Sequence, residues 1–307
     1  MQTGLFTHRA CSLHEMGSWH PERPERLAAI QDHLISTGLA PHLAYYDAPL
    51  ASVEALQRAH SADYVERLQS SVPNKGYRPL DPDTSMNPHS LNAALRAAGA
   101  VVDAADRVVS GEIANAFCAV RPPGHHARRS AAMGFCILNS IAVGARHALD
   151  ELGIERVAII DFDVHHGNGT EEIFADDEQV LMASFFQHPF YPYSGTSDLA
   201  KNMVNVPLPA GTKGDVARQV VDKVWLPRLN EFEPQMIFIS AGFDAHREDD
   251  LGQMGLVEAD YTYITERLME LAAEHSSGRI VSSLEGGYNL SALGRSAGAH
   301  VKALARL

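Results

Sequence analysis

Cysteines and long apolar runs are scarce in this chain. Three cysteines, Cys11, Cys118 and Cys136, occur among 307 residues and form no Cys-x-x-Cys pair, which argues against a disulfide framework and a cysteine-rich structural zinc site. No apolar run approaches the ~20 residues of a membrane span. The segment before His8 lacks an apolar core of signal-peptide length. We therefore expect a protein of the reduced cytoplasm that does not enter a membrane.

Basic residues are outnumbered by acidic ones. The chain has 25 Lys and Arg against 38 Asp and Glu, a formal net charge of -13. This charge argues against direct binding of nucleic acid and would attract a cationic substrate. A homo-oligomer is compatible with the sequence, which does not decide the oligomeric state.

Linkers, repeats and changes of composition are also missing. The chain is 45% hydrophobic and 21% charged, which favours a large buried core over disorder. Residues 1–307 are therefore expected to form a single domain.

Apolar patterns alternate between strands and helices along most of the chain. β-branched or apolar runs predict strands at residues 116–120, 157–160, 180–185, 203–206, 236–240 and 280–284. Helical periodicity predicts helices at residues 91–109, 139–152, 212–229 and 261–271. This order predicts an open α/β domain with a mostly parallel central sheet flanked by helices. The only long irregular stretch expected is residues 72–90.

The most informative motif follows the apolar run 157–160. Two aspartates and two histidines occur within the segment Asp-Phe-Asp-Val-His-His-Gly, residues 161–167. Along an extended backbone Asp161, Asp163 and His165 would point to one side, so Asp163 and His165 could bind one ion together. Carboxylate and neutral imidazole suit zinc and related divalent ions. We therefore predict a metal or catalytic site here.

Three other strand ends carry chemically useful side chains. His125 and His126 follow the strand at 116–120, Asp244 follows the strand at 236–240, and Tyr288 follows the strand at 280–284. Active sites of open α/β sheets lie at the carboxyl ends of the strands. These groups are therefore expected to meet the 161–167 motif.

The ordered set of motifs resembles one family across nearly the whole chain. The matching segments are HPERPER at 20–26, RPPGHH at 121–126, GFC at 134–136, DFDVHHGNGT at 161–170, AGFD at 241–244 and LEGGYN at 284–289. They resemble the zinc-dependent histone deacetylases of the class II type, in the arginase/deacetylase superfamily. The resemblance implies the arginase/deacetylase fold and a hydrolase that removes acyl groups with a single zinc ion.

The resemblance also implies two ion sites. Zinc would be held by Asp163, His165 and Asp244, with a position left for water and substrate, although iron in the cell is not excluded by the sequence. A potassium ion would lie nearby, held by Asp161, Asp163, His165, Ser184 and Phe185.

Catalytic roles carry over to five residues. His126 would be the general base and acid, and His125 its electrostatic partner. Asp161 would hold His125, and Asn168 would take the place of the carboxylate that class I members pair with the second histidine. Tyr288 would stabilise the negative carbonyl oxygen. A site of this kind is expected to be inhibited by hydroxamates.

Substrate contacts are implied in the same way. Gly134, Phe135 and Tyr191 would line a narrow apolar tunnel, and the stretch 72–90 would lie at its mouth. Arg23 matches an arginine at the inner, acetate-release end, whereas Arg26 is assigned a structural role. The expected substrate is an acylated lysine peptide or protein, or a small acylated amine.

Three alternatives are compatible with parts of this pattern. An acetylpolyamine amidohydrolase shares the chemistry but commonly has an acidic gatekeeper where this chain has Leu251. Asp249 and Asp250 lie beside that leucine and weaken the distinction. An arginase-type ureohydrolase would need a further carboxylate in the 163–167 segment, which this chain lacks. An inactive acyl-lysine reader would lack a metal ligand, the base or Tyr288, and none of these is missing here.

Overall fold

The computed structural model describes residues 2–307 and is built around one eight-stranded parallel sheet. Its strands, in chain order, are β1 (Thr3–Thr7), β2 (Leu43–Asp47), β5 (Asn115–Cys118), β6 (Val157–Asp161), β7 (Val180–Gln187), β8 (Met203–Leu208), β9 (Met236–Ala241) and β10 (Ile280–Leu284). Between β2 and β5 in the chain, the short strands β3 (Arg78–Pro79) and β4 (Ser85–Met86) form a separate antiparallel pair. The spatial order in the sheet is β2-β1-β5-β10-β9-β6-β7-β8. The predicted parallel α/β architecture is confirmed.

Ten α-helices accompany the strands in the described part of the chain. They are α1 (Glu25–Ser36), α2 (Val53–Ala59), α3 (Ala62–Ser71), α4 (Ser90–Ser110), α5 (Ser140–Glu151), α6 (Asn168–Phe174), α7 (Gly214–Val220), α8 (Leu226–Phe232), α9 (Glu258–His275) and α10 (Leu290–Leu304). One group packs α10 between α1 and α9, with α7 and α8 on α9, and a second group packs α5 against α2, α4 and α6. None of the helices between residues 2 and 307 is both long and apolar enough to cross a bilayer.

Burial explains which strands the sequence predicts well. Strands β5, β6, β7, β9 and β10 are buried along their whole length, and parallel strands covered on both faces are read as continuous apolar runs. The sequence missed β1 and β2. β2 is one of the two edge strands, and its residues after Leu43 alternate between half-buried and exposed, so its apolar pattern is weak. β1 is almost wholly buried, but its sequence Thr-Gly-Leu-Phe-Thr has only two large apolar residues and forms no apolar run.

Two sequence expectations are corrected. The helix expected at 212–229 is divided into α7, a π-helical turn at Val221–Trp225, and α8, whose first turn contains Pro227. The division follows because proline cannot donate the backbone hydrogen bond that a continuous α-helix needs. The stretch 72–90 contains the short pair β3 and β4, and it is not the only long stretch with little regular structure, because 119–139, 188–202 and 242–257 lie outside the named helices and strands. These three segments follow β5, β7 and β9 and surround the carboxyl edge of the sheet.

Candidate active site

The carboxyl end of β6 bends sharply instead of continuing as extended chain. The Asp161 Oδ1 atom accepts a hydrogen bond from the Asp163 amide at 3.1 Å, and the Asp163 Oδ1 atom accepts one from the His165 amide at 2.9 Å. Aspartate side chains commonly form such turns with the amide two residues later. The two turns, and not the side-chain alternation of an extended strand, bring Asp163 and His165 to the same point.

Asp244, beyond the end of β9, completes a cluster with Asp163 and His165. One ligand atom from each residue lies within 4.8 Å of the others. The His165 Nδ1 atom is 3.0 Å from Asp163 Oδ1 and 3.2 Å from Asp244 Oδ2. Asp244 Oδ2 is buried and accepts no hydrogen bond. The cluster thus has an unsatisfied anionic oxygen beside a second buried carboxylate.

The electrostatics of this cluster favour a bound cation. Burial and the neighbouring Asp163 raise the pKa of Asp244 to about 7, because two adjacent buried carboxylates resist ionisation together. Burial opposes charge on His165, but the close carboxylates of Asp163 and Asp244 raise its pKa to about 10. A dication would neutralise both carboxylates. Two carboxylates and one imidazole are a donor set that zinc accepts in catalytic sites.

Two glycines leave the space that the carboxylates need. A Cβ atom at Gly242 would lie 2.0 Å from Asp163 Oδ2, and one at Gly286 would lie 2.0 Å from Asp244 Oδ2. Any side chain at either position would therefore displace a candidate ligand.

A second cluster, His125, Cys136 and Glu285, has the residue types of a metal site but does not fit one. Burial, followed by the charge of Glu285, raises the pKa of Cys136 well above its usual value, so the thiol stays protonated. The Glu285 carboxylate accepts hydrogen bonds from the amides of Gly124 and His125 and from the Ser240 hydroxyl. Its oxygens are occupied in holding the histidine loop.

The two histidines after β5 differ in their partners. His125 Nδ1 is 2.9 Å from Asp161 Oδ2, and His126 Nδ1 is 2.8 Å from Asn168 Oδ1 at the start of α6. Both oxygens accept a hydrogen bond from the Nδ1–H group, which leaves Nε2 of each ring free for a second interaction. Asn168 fixes this tautomer without adding a negative charge.

The same environment separates the proton affinities of the pair. Burial disfavours charge on His125, but Asp163 and Asp161 outweigh it and raise its pKa well above the ordinary value. Burial, then the neighbouring His125 and His165, lowers the pKa of His126 well below the ordinary value. His125 therefore has the higher proton affinity of the two histidines, and His126 the lower.

Arg26, not Arg23, lies at the inner end of the site. The Arg23 side chain is exposed, whereas Arg26 is fully buried with its guanidinium 4.9 Å from the Tyr288 ring centroid. Arg26 donates to the backbone oxygens of Gly287 and Glu285 and pairs with the buried Glu22. The placement of Arg23 at the acetate-release end is therefore corrected. Arg23 precedes α1 and is exposed, whereas Arg26 lies in the first turn of α1 on its buried face, and the sequence motif alone did not show which arginine turns inward.

A pocket of about 280 Å³ opens above the histidines. It is lined by Asp83, His126, Gly134, Phe135, His165, Phe190, Tyr191, Asp250, Leu251 and Tyr288. The four predicted substrate contacts, Gly134, Phe135, Tyr191 and Leu251, all belong to this lining. Sequence reasoning missed Phe190, which stacks on His165 with centroids 5.3 Å apart.

The 72–90 stretch reaches the pocket through Asp83. The Asp83 carboxylate accepts a hydrogen bond from the Gly134 amide at 3.0 Å, and the Thr84 hydroxyl accepts one from the Phe135 amide at 2.9 Å. Gly134 has φ of +57°, and a Cβ there would lie 2.4 Å from the His126 ring. The turn that presents Phe135 therefore requires glycine. Asp83 was missed because no periodic pattern marks a loop residue.

The residues assigned to potassium lie in β7 and at the carboxyl end of the adjacent strand β6. Asp161 of β6 pairs in register with Ser184 of β7, and Ser184 and Phe185 are buried. The Ser184 hydroxyl lies 3.3 Å from Asn205 Oδ1. The sheet thus places these two residues beside the bend that carries Asp163 and His165.

Comparison with known proteins agrees with this geometry. The model of the histone deacetylase domain matches residues 20–304. The chain belongs to the histone deacetylase family. It is 39% identical to a probable deacetylase of Archaeoglobus fulgidus over 298 residues, which cover 94% of this chain and 82% of that protein. It is 38% identical to the histone deacetylase-like amidohydrolase of Pseudomonas aeruginosa, with the same two coverages.

A solved member of the histone deacetylase family has the same fold. The crystal structure of the HDA15 HD domain superposes with a TM-score of 0.94 at 36% identity and covers 99% of this chain and 88% of that chain. The resemblance seen in the motifs is confirmed. The chain is therefore a hydrolase of the deacetylase and amidohydrolase kind.

Proposed function

We propose that this chain is a zinc-dependent amidohydrolase that removes acetyl and related acyl groups from lysine side chains or similar acylated amines. The observation that carries the proposal is the convergence of a three-residue ligand cluster, a neutral histidine and a phenol on one narrow pocket. Zinc bound by Asp163, His165 and Asp244 would act as a Lewis acid toward the amide carbonyl and the attacking water.

His126 is the proton carrier in this proposal. Its Nδ1 proton is held by Asn168, so Nε2 is free to accept a proton from the attacking water. The same nitrogen then donates the proton to the departing amine, which is a poor leaving group while unprotonated. Water and amide thus become a carboxylate and an ammonium group.

His125 and Tyr288 stabilise the charge that develops. His125, held by Asp161, contributes positive charge close to the reacting atoms. Burial raises the pKa of Tyr288 well above its ordinary value, so its hydroxyl stays protonated and can donate a hydrogen bond to the carbonyl oxygen. A potassium ion held by Asp161, Asp163, His165, Ser184 and Phe185 would fix the bend at the end of β6.

The pocket lining favours a substrate that has a narrow, uncharged acylamino chain attached to a positively charged remainder. Phe135, Phe190 and Tyr191 form apolar walls that suit an uncharged acylamino chain. Asp83 and Asp250 add two carboxylates to the lining, and Asp250 is exposed. Acetyl-lysine in a basic peptide fits this distribution. An acetylpolyamine remains the second candidate, because Asp250 is the observation that favours it.

A substrate panel tests the function. Purified protein with measured zinc content is given an acetyl-lysine peptide, acetylspermidine or arginine, and acetate and urea are assayed. We expect acetate from the peptide, inhibition by a hydroxamate, and no acetate from a His126→Ala variant prepared identically. Urea from arginine, or an absence of acetate from every acylated substrate at full zinc occupancy, would refute the proposal.

Leu251 is expected to set the preference for acyl-lysine over acetylpolyamine. Leu251→Glu adds a carboxylate to the pocket, where a partly desolvated contact with a secondary ammonium would contribute ~1 kcal/mol. The ratio of kcat/KM for acetylspermidine to that for the peptide should rise ~5-fold. Leu251→Gln, of similar size but uncharged, is the matched control. An unchanged ratio would show that Leu251 does not set the preference, and a parent that already prefers acetylspermidine would make the polyamine the better substrate assignment.

A further inference from the structure

We infer that Asp249 is a positioning residue. It fixes the loop that carries Tyr288, residues 285–289, relative to the loop that carries Leu251, residues 242–257. Its Oδ2 atom accepts hydrogen bonds from the backbone amides of Tyr288 at 2.6 Å and Asn289 at 2.9 Å. Its Oδ1 atom accepts one from the amide of Leu251 at 3.0 Å. One carboxylate therefore joins the segment carrying the phenol to the segment lining the pocket.

The burial of Asp249 strengthens these three hydrogen bonds. The side chain is 6% exposed, so little water competes for its oxygens. Hydrogen bonds to an ionised acceptor are stronger than neutral ones, and a buried carboxylate needs such donors. Two of the three donors lie just before α10, which begins at Leu290 and is capped by the Asn289 side chain.

The Tyr288 loop needs an anchor of this kind because two glycines precede the tyrosine. Gly287 has φ of +116°, a conformation open to glycine, and it has no side chain of its own to fix the backbone next to the phenol. Arg26 holds the loop from the inner side through the backbone oxygens of Gly287 and Glu285. Asp249 holds it from the other side of the tyrosine. Without that second anchor, the phenol would occupy its productive position for a smaller fraction of the time.

The inference rests on the proposed function, because it assigns Asp249 an effect exerted through Tyr288. A double-mutant cycle measures that effect with an acetyl-lysine peptide at saturation. We expect Asp249→Asn to lower kcat ~10-fold, because an amide supplies only one acceptor oxygen for three donors. In a Tyr288→Phe background the same substitution should change kcat less than twofold, since the group that Asp249 positions is gone.

Matched controls separate positioning from general damage. Asp260 is a buried carboxylate that accepts a backbone amide hydrogen bond from Val257, away from the pocket. Asp260→Asn should lower the melting temperature but leave kcat unchanged. If Asp249→Asn folds poorly, Asp249→Ser keeps one acceptor and serves instead. Zinc content and melting temperature are recorded for every variant.

Each outcome decides a different point. Equal losses of kcat in the parent and Tyr288→Phe backgrounds, or no loss in the parent, would overturn the role of Asp249 while leaving the deacetylase proposal intact. No turnover of any acylated substrate by the parent at full zinc occupancy would instead reject the proposed function.

Discussion

Asp244→Asn is expected to reduce bound zinc from about one ion per chain to nearly none. The substitution removes the buried oxygen that accepts no hydrogen bond and that completes the cluster with Asp163 and His165. Deacetylation should fall by ~10³-fold or more, since a Lewis acid contributes several kcal/mol to such a transition state. Metal analysis after dialysis and acetate release measure the two effects.

The metal-free fold provides the control for this variant. Without zinc the parent keeps two adjacent carboxylates in a buried cluster, and Asp244→Asn removes one of the negative charges. The melting temperature of the metal-free variant should therefore equal or exceed that of the metal-free parent. Zinc should raise the melting temperature of the parent only, by mass action. Equal zinc occupancy in both proteins would exclude Asp244 as a ligand.

Tyr288→Phe is expected to lower kcat by ~10²–10³-fold, the usual cost of removing one oxyanion donor. KM should change little, because the lost hydrogen bond forms mainly in the transition state. Zinc content should be unchanged, since the hydroxyl is not among the clustered ligand atoms. Steady-state kinetics with an acetyl-lysine peptide and metal analysis check this. A variant with normal kcat would show that another group stabilises the carbonyl oxygen.

Most of the site could be predicted because its residues follow buried parallel strands. Asp161, His125, Asp244 and Tyr288 all come at or soon after the carboxyl end of a strand that reads as an apolar run. A parallel sheet gathers such ends at one edge, so residues far apart in the chain could be grouped without coordinates. Family resemblance then supplied the individual roles.

The supporting residues were not predictable in the same way. Glu285, Asp249 and Asp83 act through hydrogen bonds to backbone amides of distant loops. A carboxylate that accepts an amide hydrogen bond has no spacing signature, because its partner can lie anywhere in the sequence. Arg23 and Arg26 illustrate the same limit, since one motif contained both and only packing against Tyr288 distinguished them.

The sequence by itself determined the parallel α/β class, the family and the residue types of the metal cluster, because these depend on local apolar patterns and on motifs that keep their order. Only the tertiary structure decided that Asp244 presents an oxygen without a donor, that His125 and His126 differ in proton affinity, and that Asp249 connects Tyr288 to Leu251. These properties depend on burial and on distances between segments that folding alone brings together.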